Sequence, residues 1–222
     1  MMILTAICIA ACAVLVAAEY MKHRTLRVAS KLLASAAFVG LGLMAFRIGH
    51  DPARVHYGQL IFIGLVLGAI GDAALLGRSS GAFLAGLGAF LLGHLAYIAA
   101  FAYLVPPTGW LSGAGAYATV PVVAGLGVLA LLWPKLGSMR VPVIAYVLAI
   151  VTMVVAAIAA WRTDALPDPQ RTRMLIGALL FFVSDLAVAR DKFVAATFWN
   201  KAWGLPAYYA AQLFIAWSLA GL

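Results

Sequence analysis

Four ionisable side chains, Lys31, Asp72, His94 and Asp185, fall inside long runs of apolar residues. A charged group at bilayer depth costs at least ~2.5–3.5 kcal/mol, so residues kept there mark functional positions by default. Two carboxylates brought together in water-poor surroundings repel each other, and one of them then holds a proton. A neutral acid beside an ionised one is the arrangement that acid–base catalysis uses. The competing reading is structural: inter-helix ion pairs, Asp72 with Lys31 and Asp185 with Lys201.

The elements that must position these groups follow from composition. The 222 residues are 66% hydrophobic and 10% charged, with a mean hydropathy of +1.06. Soluble domains are roughly half apolar and a quarter charged. In lipid only helices and closed barrels satisfy their own backbone hydrogen bonds, and the ~10-residue alternating segments of a barrel are absent. The fold class is therefore all-α, a polytopic transmembrane bundle of about eight helices forming a single membrane domain over 1–222. Runs long enough for ~30 Å of hydrocarbon fall at 2–20, 28–48, 56–77, 82–104, 116–133, 141–161, 173–190 and 199–221. Ile3–Ala18 lacks a basic leader and Glu19-Tyr20-Met21 is a poor cleavage site, so the first run is expected to remain as a helix. Cys8 and Cys12, one turn apart within it, read as small apolar residues.

The net charge of +8 does not point to nucleic acid, because the fifteen Lys and Arg are scattered among short connections instead of lining one face. Connections after odd-numbered runs, with Lys31 and Lys201, carry ten of them (22, 24, 27, 31, 78, 135, 140, 190, 192 and 201) against five elsewhere (47, 54, 162, 171 and 173). The positive-inside rule puts the richer side in the cytoplasm. The expected location is a bacterial inner membrane, and no obligatory protein partner is evident.

Asp72 follows Gly64 and Gly68 at four-residue steps, and Asp185 follows Gly177 and Phe181 likewise. Both carboxylates thus share a helix face with small residues, where another helix packs closely. The third and seventh runs leave the membrane on the same side, each aspartate about five residues or ~7–8 Å before its exit. Lys31, Tyr146, Asn200 and Lys201 enter from that side, giving one polar layer. His94 and Tyr97 lie deeper on the fourth run, His94 at ~18 Å, beyond easy reach of the aspartates. Tyr208 and Gln212 are comparably deep on the last run. Ile70-Gly71-Asp72 and Val183-Ser184-Asp185, four runs apart, fit a four-plus-four internal repeat and equally fit chance.

These residues also resemble a known family. Gly71-Asp72, Gly86, Gly93-His94 with Tyr97, Gly177-Ala178-Leu179-Leu180-Phe181 running into Ser184-Asp185, Lys192-Phe193, and Tyr208-Tyr209 with Gln212 are similar in order and spacing to the YhhN-like lysoplasmalogenases. The resemblance spans roughly Lys31 to Ala216. It implies a membrane hydrolase that cleaves the vinyl ether bond of a lysophospholipid substrate, releasing a fatty aldehyde and glycerophosphoethanolamine or glycerophosphocholine. It makes Asp72 and Asp185 the catalytic pair, sharing one proton. Lys31, Lys201 or Arg78 would meet the phosphate, with His94, Tyr97 and Met153 along the chain. No cofactor or metal is called for, since acid, base and water suffice for the chemistry.

Two other readings use the same residues. Gly71-Asp72 suggests an intramembrane aspartyl protease, but Ala69 stands where that pattern needs glycine, and the second aspartate would come in the reverse order. A proton-coupled transporter would use buried Asp and His as a relay. Substrate uptake without bond cleavage distinguishes it.

Overall fold

Nearly every long segment is apolar on all sides, the pattern of a helix bathed in lipid or in other helices. A computed structural model describes residues 1–48, 54–77, 79–163 and 165–221, and shows the helices this pattern requires. They are α1 (Met2–Tyr20), α2 (Arg24–Ile48), α3 (Val55–Ala74), α4 (Ser80–Leu104), α5 (Trp110–Ala114), α6 (Thr119–Leu132), α7 (Arg140–Trp161), α8 (Asp168–Phe193) and α9 (Phe198–Trp217). Among the described residues, seven helical segments are long and apolar enough to cross a membrane. The eighth long helix, α9, is more polar. It nevertheless runs antiparallel to α8 over the full length: Asn200 Nδ2 donates to Asp191 Oδ1 (3.1 Å) at one end and Gln170 Nε2 donates to the Ala220 carbonyl (2.7 Å) at the other. The protein is an integral multi-pass membrane protein.

Local chemistry sets the breaks. At the end of α1 the His23 N–H reaches the Ala18 carbonyl (2.9 Å) and the Lys22 N–H the Glu19 carbonyl (3.3 Å), with Lys22 at φ 55°. This is a Schellman ending, and it turns the chain so that Arg27 of α2 meets Glu19 of α1 at 3.1 Å. Ser79 caps α4 by accepting from the Ala82 N–H (3.1 Å). The fifth apolar run is not one helix. Gly115, at φ 56°, takes a conformation that β-carbon-bearing residues resist and separates α5 from α6. The seventh run begins earlier than its apolarity suggests, because Pro169 sits in the first turn, where its missing N–H costs nothing.

Helices α1, α2, α3, α4, α7, α8 and α9 close a ring in that order, with α9 also touching α2 and α3, and α6 lying outside against α7. α7 is the most enclosed, buried continuously from Met153 to Ala160. Cys8 and Cys12 are free thiols within the main apolar core.

Glycines on α3 govern the approach of its neighbours. A β-carbon at Gly64 would collide with the Tyr97 ring, one at Gly68 with the Gln212 amide, and one at Gly71 with Phe90. Tyr97 is buried and its hydroxyl donates to Gln212 Oε1 at 2.9 Å. Gly64→Val should therefore lower stability by about 1–3 kcal/mol through overpacking. Gly88→Val, with no atom near its added β-carbon, should not. Thermal unfolding of both variants in detergent checks this.

Candidate active site

The two carboxylates, Asp72 buried and Asp185 partly buried with its side chain 17% exposed, have different partners. On α2, Lys31 and Ser35 are one turn apart and so face the same way, toward Asp72 of α3. Lys31 Nζ lies 3.0 Å from Asp72 Oδ1, and the Ser35 hydroxyl is 2.7 Å from Oδ2. The Tyr209 hydroxyl approaches the same oxygen at 3.4 Å. Asp72 is 1% exposed and Lys31 8%, so this is an ion pair in low dielectric, held by charge-assisted hydrogen bonds. Asp185 of α8 instead accepts from the Tyr146 hydroxyl of α7 (3.0 Å), with His94 Nε2 of α4 at 3.7 Å. Among the described residues it has no Lys or Arg within ion-pair distance.

One cavity of about 340 Å³ joins these groups. Its walls carry Asp72, Asp185 and Lys31 together with Asn200, Lys201 and Tyr208. Its mouth lies at the end where α1 passes to α2 and α8 to α9, and there Lys201 Nζ stands 3.8 Å from Glu19 and 3.7 Å from Asp191. Below, an aromatic floor closes it: Phe90 meets Tyr208 (ring centroids 5.6 Å) and Phe181 (6.3 Å), and Phe181 meets Tyr208 (5.4 Å). Beside it, between α4, α6, α7 and α8, runs a second, apolar cleft in which, among the described residues, Asp185 is the one ionisable carboxyl. Asp185 therefore belongs to both spaces.

Several sequence expectations change on this geometry. Asp72 is two residues from the end of α3 and Asp185 eight from the end of α8, or ~3 Å and ~12 Å at 1.5 Å per residue. Their depths differ because α3 stops before Gly77 while α8 continues through Arg190. Among the described residues the two carboxylates are not hydrogen-bonded to each other, so no proton is shared directly between them. Lys201 pairs with Glu19 and Asp191 and not with Asp185. His94 does reach an aspartate, since Asp185 lies deeper than assumed. Its ring is fully buried between Tyr146 (centroids 5.2 Å) and Phe181 (4.7 Å), and neither ring nitrogen makes a hydrogen bond.

Tyr97 and Gln212 stand beneath the floor, linked to each other and through the Gln212 Nε2 to Tyr208 (3.1 Å). Neither touches an aspartate, and His94, Tyr97 and Met153 line neither space. Asn200 is engaged at its own helix start, donating to Asp191 and to the Ala195 carbonyl (2.6 Å). Arg78 lies outside the described residues. Sequence reasoning passed over Ser35, Glu19 and Arg27. Ser35 carried a usable signal, its four-residue step from Lys31.

The fold and site define a class: a multi-pass helical membrane protein with two separated carboxylates on the walls of one cavity. The chain belongs to the YhhN family, whose sequence pattern it matches over residues 26–219. It is 37% identical over 166 residues to lysoplasmalogenase TMEM86A of Bos taurus, covering 71% of this chain and 64% of that protein. It is 36% identical over 184 residues to lysoplasmalogenase TMEM86A of Homo sapiens, covering 81% and 69%, and 32% identical over 179 residues to the lysoplasmalogenase of Mycobacterium tuberculosis, covering 78% and 64%. The chain thus spans just under two thirds of the length of the bovine relative. No solved structure matches it.

Proposed function

We propose that this protein is a lysoplasmalogenase, hydrolysing the vinyl ether bond of a lysophospholipid in the membrane to a fatty aldehyde and a glycerophospho-alcohol. The observation that carries this reading is a pair of carboxylates in unlike surroundings on one cavity: Asp72 matched by Lys31 at 3.0 Å, and Asp185 with no Lys or Arg beside it among the described residues. Relatives bearing the name lysoplasmalogenase support the activity.

The chemistry divides between the two. A carboxyl without a cation in apolar surroundings is least costly as the neutral acid, so Asp185 is the proton donor. It protonates the vinyl carbon remote from oxygen, and the electron pair of the double bond forms the new C–H bond. An oxocarbenium ion results, with its charge on the carbon bonded to oxygen. Asp72, ionised opposite Lys31, stabilises that charge across the cavity and takes a proton from the water that adds to it. The hemiacetal then breaks its C–O bond to the glycerol: the proton held by Asp72 passes to the departing glycerol oxygen and the hemiacetal hydroxyl proton passes to Asp185, so aldehyde and alcohol leave with both carboxyls back in their starting states. Two carboxylates share acid and base duties in the same way in glycoside hydrolysis.

The cations at the mouth suit a phosphate. Lys201 and Lys192 reach the cavity without a close hydrogen-bonded carboxylate, whereas Lys31 is engaged by Asp72. Lys201→Ala should weaken apparent affinity more than turnover. By the positive-inside count the mouth faces the cytoplasm, and the proposed location is a bacterial inner membrane.

Incubating purified protein with a lysoplasmalogen should release aldehyde, while the ester-linked lysophospholipid stays intact. Activity should fall on both sides of a pH optimum, on the acid side as the base is protonated and on the alkaline side as the acid is lost. Uptake of lysolipid into proteoliposomes without any aldehyde would replace the enzyme with a transporter.

A further inference from the structure

The apolar cleft beside the polar cavity has no part in the chemistry above. Phe83 and Phe90 of α4, Val128 of α6, Ile150 of α7 and Ala189 of α8 are among its walls, and among the described residues Asp185 is its one carboxyl. It exists because α6 packs against α7 outside the helix ring. Gly125 lets that packing be close, since a β-carbon there would strike Val151. The cleft adjoins the polar cavity, with Leu75, Phe83, Phe90, Asp185 and Val188 lining both.

A space that is polar and carries cations on one side of a carboxyl and, Tyr146 apart, is apolar on the other fits a molecule with the same asymmetry. We infer that the cleft between α4, α6, α7 and α8 holds the single hydrocarbon chain of the lysolipid, the chain leaving the polar cavity at Asp185 and passing sideways between helices toward the bilayer. This rests on the activity proposed above and specifies its substrate site. The vinyl ether is the junction between headgroup and chain, so this seating puts its first carbons at the Asp185 carboxyl. It also explains why a carboxyl stands on an otherwise largely apolar wall. A diacyl lipid would bring a second chain into a passage walled by bulky side chains of four helices, so the cleft selects single-chain lipids. It moves the chain away from His94, Tyr97 and Met153, which line neither space.

Two measurements test the assignment. A saturated-ether lysolipid carrying a mid-chain diazirine cannot be hydrolysed by vinyl ether chemistry. Photolysis with the wild-type protein should label peptides of α6, α7 or α8 that line the cleft. Labelling confined to the groove between α1 and α9 would overturn the proposal. In the second, Val128→Trp and Ala189→Trp fill the cleft from two helices. The ratio of kcat/KM for an eighteen-carbon over an eight-carbon lysoplasmalogen should fall by about tenfold or more, the scale on which apolar pockets discriminate chain length. An unchanged ratio in both folded variants would also overturn it. If the wild type labels in the cleft and yet cleaves no lysoplasmalogen, the chain site stands and the proposed reaction fails. If it cleaves but labels elsewhere, the reaction stands and the cleft fails.

Discussion

Asp185→Asn should reduce turnover by about a thousandfold or more, within the 10²–10⁴ range supplied by a positioned general acid. The amide has nearly the shape of the acid and can still accept from the Tyr146 hydroxyl, 3.0 Å from Asp185 Oδ2. Fold and lipid binding should therefore survive. The amide cannot release a proton to carbon, and that step has no substitute nearby, since the Tyr146 hydroxyl and the His94 ring are held by packing in the same corner. Aldehyde release under single-turnover conditions, set beside binding of a saturated-ether analogue, separates lost chemistry from lost affinity. Turnover close to that of the wild type would remove Asp185 as the acid. Tyr146→Phe should have a smaller effect, because it removes a hydrogen bond that orients the carboxyl and leaves the proton in place.

Asp72→Asn should damage the protein twice. Lys31 is 8% exposed and its Nζ depends on Asp72 Oδ1 at 3.0 Å. Removing one partner of a buried pair leaves an uncompensated charge and costs about 3–5 kcal/mol. Turnover should also fall by about two to three orders of magnitude, through loss of the charge opposite the oxocarbenium ion and of the base for water. The double variant Asp72→Asn/Lys31→Met tells the two effects apart. Replacing the stranded ammonium with an apolar chain of similar length should restore most of the thermal stability in detergent, yet leave activity at the level of Asp72→Asn. If activity returned along with stability, Asp72 would be a structural counter-ion and Asp185 would act without it.

At the mouth Lys201 is held more loosely than Lys31, at 3.8 Å from Glu19 and 3.7 Å from Asp191 with its side chain 39% exposed, whereas Glu19 is paired with Arg27 at 3.1 Å. Exposed pairs of this kind contribute little to stability.

What the sequence settled follows from the bilayer as solvent. Leu-, Ala- and Val-rich runs separated by Lys22-His23-Arg24, Pro106-Pro107 or Arg190-Asp191-Lys192 leave no alternative to membrane-spanning helices, because backbone groups in hydrocarbon must satisfy each other. The same argument singled out Asp72 and Asp185, and the four-residue glycine spacing turned both toward protein. Partner choice lay beyond it. Whether Asp72 meets Lys31 or a second carboxylate depends on which helices adjoin across the ring, and whether His94 touches Asp185 depends on where α8 ends. A span fixes depth only to within a turn or two, about 5–10 Å at 1.5 Å per residue, while a hydrogen bond is decided within a few tenths of an ångström. Only packing supplies that precision, and only the position of α6 outside the ring created the apolar cleft beside Asp185.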